Sequence, residues 1–311
     1  MASKLVIHHF KKDAYPKTTE EAVQQSNLGN WEAVKEDILD IRNQKIPSGA
    51  AVVRKEKDET LPLHNHVLGI VGKNYTVVPN SKVFAPFQTF LEAGRVNVIS
   101  IGELDDGATL FMQSSIVELP NFSVGDDGQD LIEPYFLVSN SHDGSRQFQI
   151  NVGQTRVVCQ NTLAMARSAG HLLKARHTSG IMVKLDSVIE IINETVLQCK
   201  NDSETYARMR DKKASIPELE AYLKKLIGSE DPQRRAKGAY EKMLELALKS
   251  PGNDANDLNW WSAFNGVTNY LTHYAQPKKP ESMLKSGWFG PNATKTEKAM
   301  DLALEFAGLA V

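Results

Sequence analysis

The stretch "DLIEPYFLVSNSHDGSRQFQINVG", residues 130–153, carries the clearest fold signal in the chain. Each half holds a run of apolar residues, and His-Asp-Gly-Ser at 142–145 separates the two runs as a turn. In the second half, apolar and amide side chains alternate: Phe148, Ile150 and Val152 with Gln147, Gln149 and Asn151. A period of two is typical of a strand with one face in the core, so the stretch predicts a hairpin with an amide-rich outer face.

Similar signals surround this hairpin. "VNVISIGEL" and "ATLFMQSSIVEL" flank Asp-Asp-Gly at 105–107, which predicts a second hairpin. "VLGIVGKNYTVVPN", residues 67–80, holds two short apolar runs around Gly-Lys-Asn and predicts a further one. After residue 160, "NTLAMARSAG" is a helix candidate with Asn161 or Thr162 as its cap.

From residue 181 onward the apolar periodicity is helical. Ser215 and Glu218 form a capping-box pattern, and Gly228 is placed to end that helix. A later stripe has spacings of four and three: Trp260, Phe264, Val267, Leu271 and Tyr274. The polar line Asn265, Asn269 and His273 lies opposite, either as a solvated face or as a contact to a partner.

These patterns predict an α+β fold, an antiparallel hairpin-rich sheet with packed helices, followed by a helical C-terminal region. We expect an N-terminal helix and strand segment over 1–60, a sheet core with a basic groove over 61–180, and helices over 181–311. The chain has 311 residues, a net charge of −2, two cysteines and no long apolar run. A cytoplasmic protein in a reducing compartment, without a membrane partner, is expected.

Charge is unevenly distributed along the chain. Residues 92–133 hold nine acids and one base, whereas residues 144–185 hold six bases, two histidines and no acid. Three interpretations are open. In the first, the segregation is accidental. In the second, residues 144–185, the basic segment, form a groove for a polyanion. In the third, the basic segment pairs with residues 92–133, the acidic segment, of another subunit in a head-to-tail ring or filament.

The polyanion interpretation predicts specific roles. Four bases would clamp phosphates: Arg146, Arg156, Lys174 and Arg176. Amide and imidazole groups would add hydrogen bonds: Gln149, Asn151, Gln160, Asn161 and His177. The only aromatic residue of the basic segment from Ser145 to Leu185 is Phe148, which the strand pattern points inward, so a base-stacking platform is not expected there. A groove that grips phosphates and leaves bases free fits strand annealing, which requires no cofactor.

Four segments resemble a known family: "EPYFLVSNSHDGS" (133–145), "TRVVCQNTLAMA" (155–166), "RHTSG" (176–180) and "WWSAFNGVTNYLTHY" (260–274). They are similar to the phage/plasmid-like protein family, a bacterial domain of unknown function, from about Gly69 to the C-terminus. The resemblance implies a phage, prophage or plasmid origin and brings no established activity. The order of elements from Val67 to Gly170 is also similar to the Rad-type single-strand annealing fold, which implies a ring with a basic outer groove.

We therefore expect a non-enzymatic protein that binds single-stranded DNA and promotes annealing in recombination or replication, as a homo-oligomer in the bacterial host cell. If six bases contact phosphates, affinity should fall roughly a thousandfold between 50 and 200 mM salt. One alternative is a metal-dependent nuclease or other hydrolase that uses His142 and Asp143 with acids from 103–106. The other is an interaction protein that inhibits a host defence complex.

Overall fold

The computed structural model describes residues 5–117, 122–124, 130–156, 161–163, 173–181, 201–229, 237–275 and 279–309. It confirms the α+β class, with strands in the N-terminal part and helices in the C-terminal part. Two compact units divide the chain: residues 1–118, 135–152 and 171–195 form the first, and residues 119–134, 153–170 and 196–311 the second. Residues 1–60 thus share a unit with most of the predicted sheet region.

The first unit contains two antiparallel sheets. One has the order β2 (Trp31–Leu39), β3 (Lys45–Glu56) and β4 (His66–Gly72). Of the other sheet, the first unit holds β1 (Val6–His9), β5 (Val96–Leu104), β6 (Thr109–Ile116) and most of β8 (Leu131–Ser141) and β9 (Phe148–Arg156), in that order, and β11 (Leu173–Ala175) also pairs with β9. Residues 131–134 of β8 and 153–156 of β9 belong to the second unit. Among the described residues of this unit, three short α-helices accompany the sheets: α1 (Thr19–Gln25), α2 (Asn80–Val83) and α3 (Gln88–Glu92).

Two of the three predicted hairpins are present. Strands β5 and β6 meet around the Asp-Asp-Gly turn, in which Asp105 and Asp106 both adopt positive φ and Gly107 follows with φ 103°. Strands β8 and β9 are neighbours and are joined through Gly144, whose φ of 76° favours glycine. Phe148 and Ile150 are fully buried, as the alternating pattern predicts.

The hairpin predicted over 67–80 is wrong. The first apolar run forms β4, which pairs with β3, but the second run is not a strand. Instead, the backbone turns at Tyr75, whose N–H donates to the Gly72 carbonyl, and the Thr76 N–H donates to the His177 carbonyl. The helix cap predicted at Asn161 or Thr162 is also wrong, since residues 161–163 form β10 against β9. The rest of that helix candidate, residues 164–170, lies outside the described residues. At 67–80 a contact with the distant residue His177 replaces the predicted local pairing, whereas at 161–163 pairing with the preceding strand β9 does so.

The second unit is mainly helical. Residues 201–211 are helical, followed by α4 (Ile216–Ile227), α5 (Lys237–Lys249), α6 (Trp260–His273), α7 (Pro280–Phe289) and α8 (Pro291–Phe306). It also holds the short strands β7 (Phe122–Ser123) and β10 (Asn161–Leu163). The capping box of Ser215 and Glu218 is present, and Gly228 ends α4 in the left-handed conformation. No helix among the described residues is long and apolar enough to span a membrane.

Helix α6 is buried on more than one face. Its apolar stripe from Trp260 to Leu271 lies in the core of the second unit. Asn265 and Asn269 are buried too: the Asn265 amide donates to the Trp261 carbonyl (2.8 Å) and that of Asn269 to the Ser250 hydroxyl (3.0 Å). Both amides therefore make hydrogen bonds inside the second unit, and His273 is the only residue of the predicted polar line that is exposed.

Candidate nucleic-acid interface

A groove of about 670 Å³ lies in the first unit, and we call it the basic groove. Four segments that are distant in sequence form it: Ser48 of β3, residues 72–75 after β4, residues 144–147 between β8 and β9, and residues 176–178 after β11. Hydrogen bonds hold the 72–75 segment in place, because the Lys35 ammonium donates to the carbonyls of Lys73 and Tyr75. The groove is therefore built by tertiary contacts rather than by one loop.

Three cations from three of these segments line the basic groove: Lys73, Arg146 and Arg176. Lys73 and Arg176 are exposed, and Arg146 is partly buried with a hydrogen bond from its guanidinium to Thr109 Oγ1 (3.3 Å). No Asp or Glu is among the described residues that line the groove. A concave surface with only positive formal charge concentrates anions, so phosphate groups are suitable ligands.

The turn beside the groove is fixed by the Asp143 carboxylate, which accepts hydrogen bonds from the Ser141 hydroxyl and from the backbone N–H of Ser145. Burial alone would raise the pKa of Asp143, but these bonds and the charge of Arg146 outweigh it and hold the pKa below its usual range. Strand β4 packs closely against this turn, since a Cβ added at Gly69 would come within 2.5 Å of the Asp143 Cα. Asp143 thus has a structural role in shaping the groove.

His142 is completely buried behind this turn. Its Nε2 lies 3.0 Å from Asn80 Oδ1, while the Asn80 amide donates to the carbonyls of Leu28 and Trp31. Because the amide orientation leaves Oδ1 as an acceptor, His142 Nε2 carries the proton. Burial, with a contribution from nearby His177, lowers the pKa of His142 to about 3. Because the His142 imidazole is neutral and enclosed by protein, it does not contact a substrate.

The acids of 103–106 do not complete a metal site with His142. Glu103 is buried, accepts from Arg54 (2.9 Å) and Trp31 (2.8 Å), and shares Arg54 with Glu56 (2.6 Å). The Arg54 guanidinium lies over the Trp31 ring at 4.2 Å. Among the described residues, no group of three or more His, Cys, Asp or Glu side chains could hold a metal ion. The geometry therefore gives the nuclease interpretation no support.

Several of the residues predicted to contact nucleic acid do lie at or near the groove. Arg146, Arg176 and His177 line it, but His177 is only 6% exposed, so the predicted role of His177 as a further donor to nucleic acid has no support. Lys174 is exposed on β11, two residues before Arg176, and pairs across the sheet with the partly exposed Gln149. Asn151, in contrast, is 6% exposed, so its amide belongs to the interior of the first unit rather than to the predicted amide-rich surface.

Arg156 does not belong to the groove. It is fully buried in the second unit, where its Nε and Nη2 donate to the two oxygens of Asp130 at 2.6 and 2.7 Å. The same guanidinium donates to Asn253 Oδ1 and to the Gly252 carbonyl, both at 3.1 Å. The prediction that Arg156 clamps a phosphate is wrong, because its donors are directed to protein acceptors away from solvent.

Two further predicted residues have no described side chain. Gln160 lies outside the described residues, and Asn161 is placed only as a backbone position of β10 opposite Arg156. Sequence reasoning also missed Lys73 and Tyr75, which line the groove. The Gly-Lys-Asn turn signal at 72–74 marked a surface loop, but no local pattern shows that this loop meets residues a hundred positions later.

The comparison with protein families identifies the chain. A family model described as "Domain of unknown function (DUF932)" matches residues 67–298, about three quarters of the sequence. The protein belongs to the DUF932 family. No curated protein and no solved structure matches it. The phage or plasmid link and the likeness to the Rad-type annealing fold are not confirmed by these comparisons.

The DUF932 region includes most of the basic groove. Lys73, Tyr75, Arg146 and Arg176 all fall within residues 67–298, whereas Ser48 and strands β2 and β3 precede the matched region. Strand β3 nevertheless positions the groove, because it holds β4, from which the 72–75 segment leaves. The family description assigns no activity to the chain.

Proposed function

We propose that this DUF932 protein binds single-stranded DNA in the basic groove and promotes annealing during recombination or replication of a phage or plasmid. The observation that carries the proposal is the convergence of Lys73, Arg146 and Arg176 on one groove whose described lining holds no acid. Phosphates would lie against these cations, with Lys174 beside them on β11. Neutralising two strands lowers their mutual repulsion, and base pairing then supplies the free energy of annealing.

The basic groove sets the expected salt dependence. Three phosphate contacts on a single strand give a slope of log K against log salt of about −2, and a rise from 50 to 200 mM salt then weakens binding about 20-fold. This is smaller than the thousandfold expected from six bases. Arg156 is buried, and Arg167 and Lys184 lie outside the described residues.

The test is fluorescence anisotropy with a labelled oligo-dT over that salt range. The double variant Arg146→Gln/Arg176→Gln should bind much more weakly and flatten the slope to about −0.7, since each lost phosphate contact reduces it. Lys12→Gln is the matched control, because Lys12 is exposed in the same unit and does not line the groove. Wild-type affinity and slope in the double variant would refute the proposal.

Assembly into a ring or filament also stays a prediction. Two acids of the acidic segment are already paired within the protomer, Glu103 with Arg54 and Asp130 with Arg156. Others are at least partly exposed, including Glu92 and Glu133, and could meet a basic groove on a second copy. Light scattering at micromolar concentration should show an oligomer, and a monomer under those conditions would contradict this part of the proposal.

A further inference from the structure

The basic groove contains an aromatic ring held in a fixed orientation. The Tyr75 ring stacks on the imidazole of His177, with ring centroids 4.6 Å apart and an interplanar angle of 14°. Its hydroxyl donates to the Ser141 carbonyl at 2.5 Å. Burial raises the pKa of Tyr75, which keeps this hydroxyl protonated as a donor. The ring is therefore held at one face and at its polar end.

His177 is itself held in place by the backbone of Thr76. It is 6% exposed, its Nδ1 lies 3.1 Å from the Thr76 carbonyl, and its own carbonyl accepts the Thr76 N–H at 2.9 Å. The imidazole thus forms a rigid support for Tyr75 rather than a mobile surface group. Tyr75 is only partly buried, and it is one of the residues that line the same groove as Lys73, Arg146 and Arg176.

A rigid aromatic surface beside cations matches the two parts of a nucleotide. An unpaired base offers a flat face that stacks on aromatic rings regardless of its identity, and the adjoining phosphates suit the cations. A duplex keeps its base faces stacked on one another, so it cannot use such a ring without unstacking. We infer that Tyr75, supported by His177, is a stacking platform for one unpaired base, which makes the basic groove selective for single strands over duplex.

This inference rests on the proposed function and extends it, because cations alone would bind either form of nucleic acid. The basic segment itself still supplies no stacking platform, as the sequence predicts. The aromatic residue comes from position 75, outside the basic segment, and reaches it through the pairing of Thr76 with His177. A single platform holds one base and leaves its neighbours available for pairing.

The test compares two ligands with the same number of phosphates, dT12 and an abasic 12-mer. A 12-base-pair duplex is the third ligand, and its affinity should be the same for Tyr75→Leu and the wild type, because its bases do not reach the ring; an equal loss of affinity for duplex and dT12 would overturn the proposal. Wild-type protein should bind dT12 at least fivefold more tightly than the abasic strand. Tyr75→Leu should reduce this preference to below twofold while affinity for the abasic strand stays unchanged. Tyr75→Phe is the matched control, because it keeps the ring and loses only the hydroxyl bond to Ser141.

The outcomes separate the platform from the groove. If wild-type protein binds dT12 and the abasic strand equally, with the expected salt slope, then base stacking on Tyr75 is refuted but phosphate binding in the basic groove is not. Retention of the preference in Tyr75→Leu would also overturn it. Absence of binding to every strand would overturn both proposals. If Tyr75→Leu does not fold, photocrosslinking of wild-type protein to an iodouracil oligonucleotide decides: a crosslink at Tyr75 supports the platform, and crosslinks only at other residues refute it.

Discussion

Replacement of Arg156 by Met should destabilise the second unit without touching the proposed DNA surface. The guanidinium is fully buried and makes two short hydrogen bonds to Asp130, whose side chain is 8% exposed. Asp130 also accepts from Trp261 Nε1 at 2.6 Å, but a single neutral donor does not compensate a buried carboxylate. Removal of one partner of a buried ion pair costs about 3–5 kcal/mol of the free energy of unfolding.

The assay is thermal unfolding followed by circular dichroism. A loss of about 3–5 kcal/mol lowers Tm by roughly 6–20 °C in a domain of 150–250 residues. Adding Asp130→Asn to Arg156→Met should recover part of the loss, because the unpaired charge is then removed. Arg176→Met is the matched control: its side chain is exposed, so Tm should stay within a few degrees while oligo-dT binding weakens.

The result that would refute this reasoning is an Arg156→Met protein with the wild-type Tm and impaired DNA binding. Arg156 would then act at the DNA surface, as its position in the basic segment suggested. The opposite pattern, with lowered Tm and unchanged oligo-dT affinity at a temperature where the variant is folded, would establish Arg156 as a structural residue. Comparing Arg156 with Arg176 thus separates the two roles of arginines in one segment.

Two other predictions concern stability. The folded-state pKa of His142, about 3, lies below the unfolded value near 6.5, so the folded state binds fewer protons and stability should fall as pH drops below about 6.5. Between pH 7.5 and 5 the free energy of unfolding, measured with urea, should fall by about 2 kcal/mol. His142→Gln should make this pH dependence shallower, and an unchanged pH dependence would contradict the lowered pKa of His142. At the contact of α5 and α6, a Cβ on Gly266 would lie 2.5 Å from the backbone nitrogen of Ala247, so Gly266→Ala should lower Tm by several degrees. The control Gly287→Ala, also in a helix but with no atom within 4 Å of the added Cβ, should leave Tm unchanged or raise it slightly, and equal effects of the two changes would rule out the close contact.

Much of the local structure could be predicted from the sequence. Alternation in 147–152 identified β9 and its buried face, and the Asp-Asp-Gly turn identified the β5–β6 hairpin. The Ser215 capping box and Gly228 located both ends of α4. These signals are local: side-chain periodicity and turn chemistry depend on residues only a few positions apart, so a linear pattern contains them.

The basic groove is formed by contacts between residues that are far apart in the sequence, and no local pattern predicts such contacts. Arg146 and Arg156 look alike in the sequence, yet one lines a groove and the other is buried, because Asp130 lies next to Arg156 in the folded chain and supplies both carboxylate oxygens. Tyr75 lies 102 positions before His177, and only tertiary packing stacks the two rings. Side-chain periodicity and turn residues thus determined that the chain is an α+β protein, and the order of charges that it has a basic segment. Which charges stay in contact with solvent was decided by tertiary structure, because burial of a charge depends on whether a distant partner compensates its lost hydration.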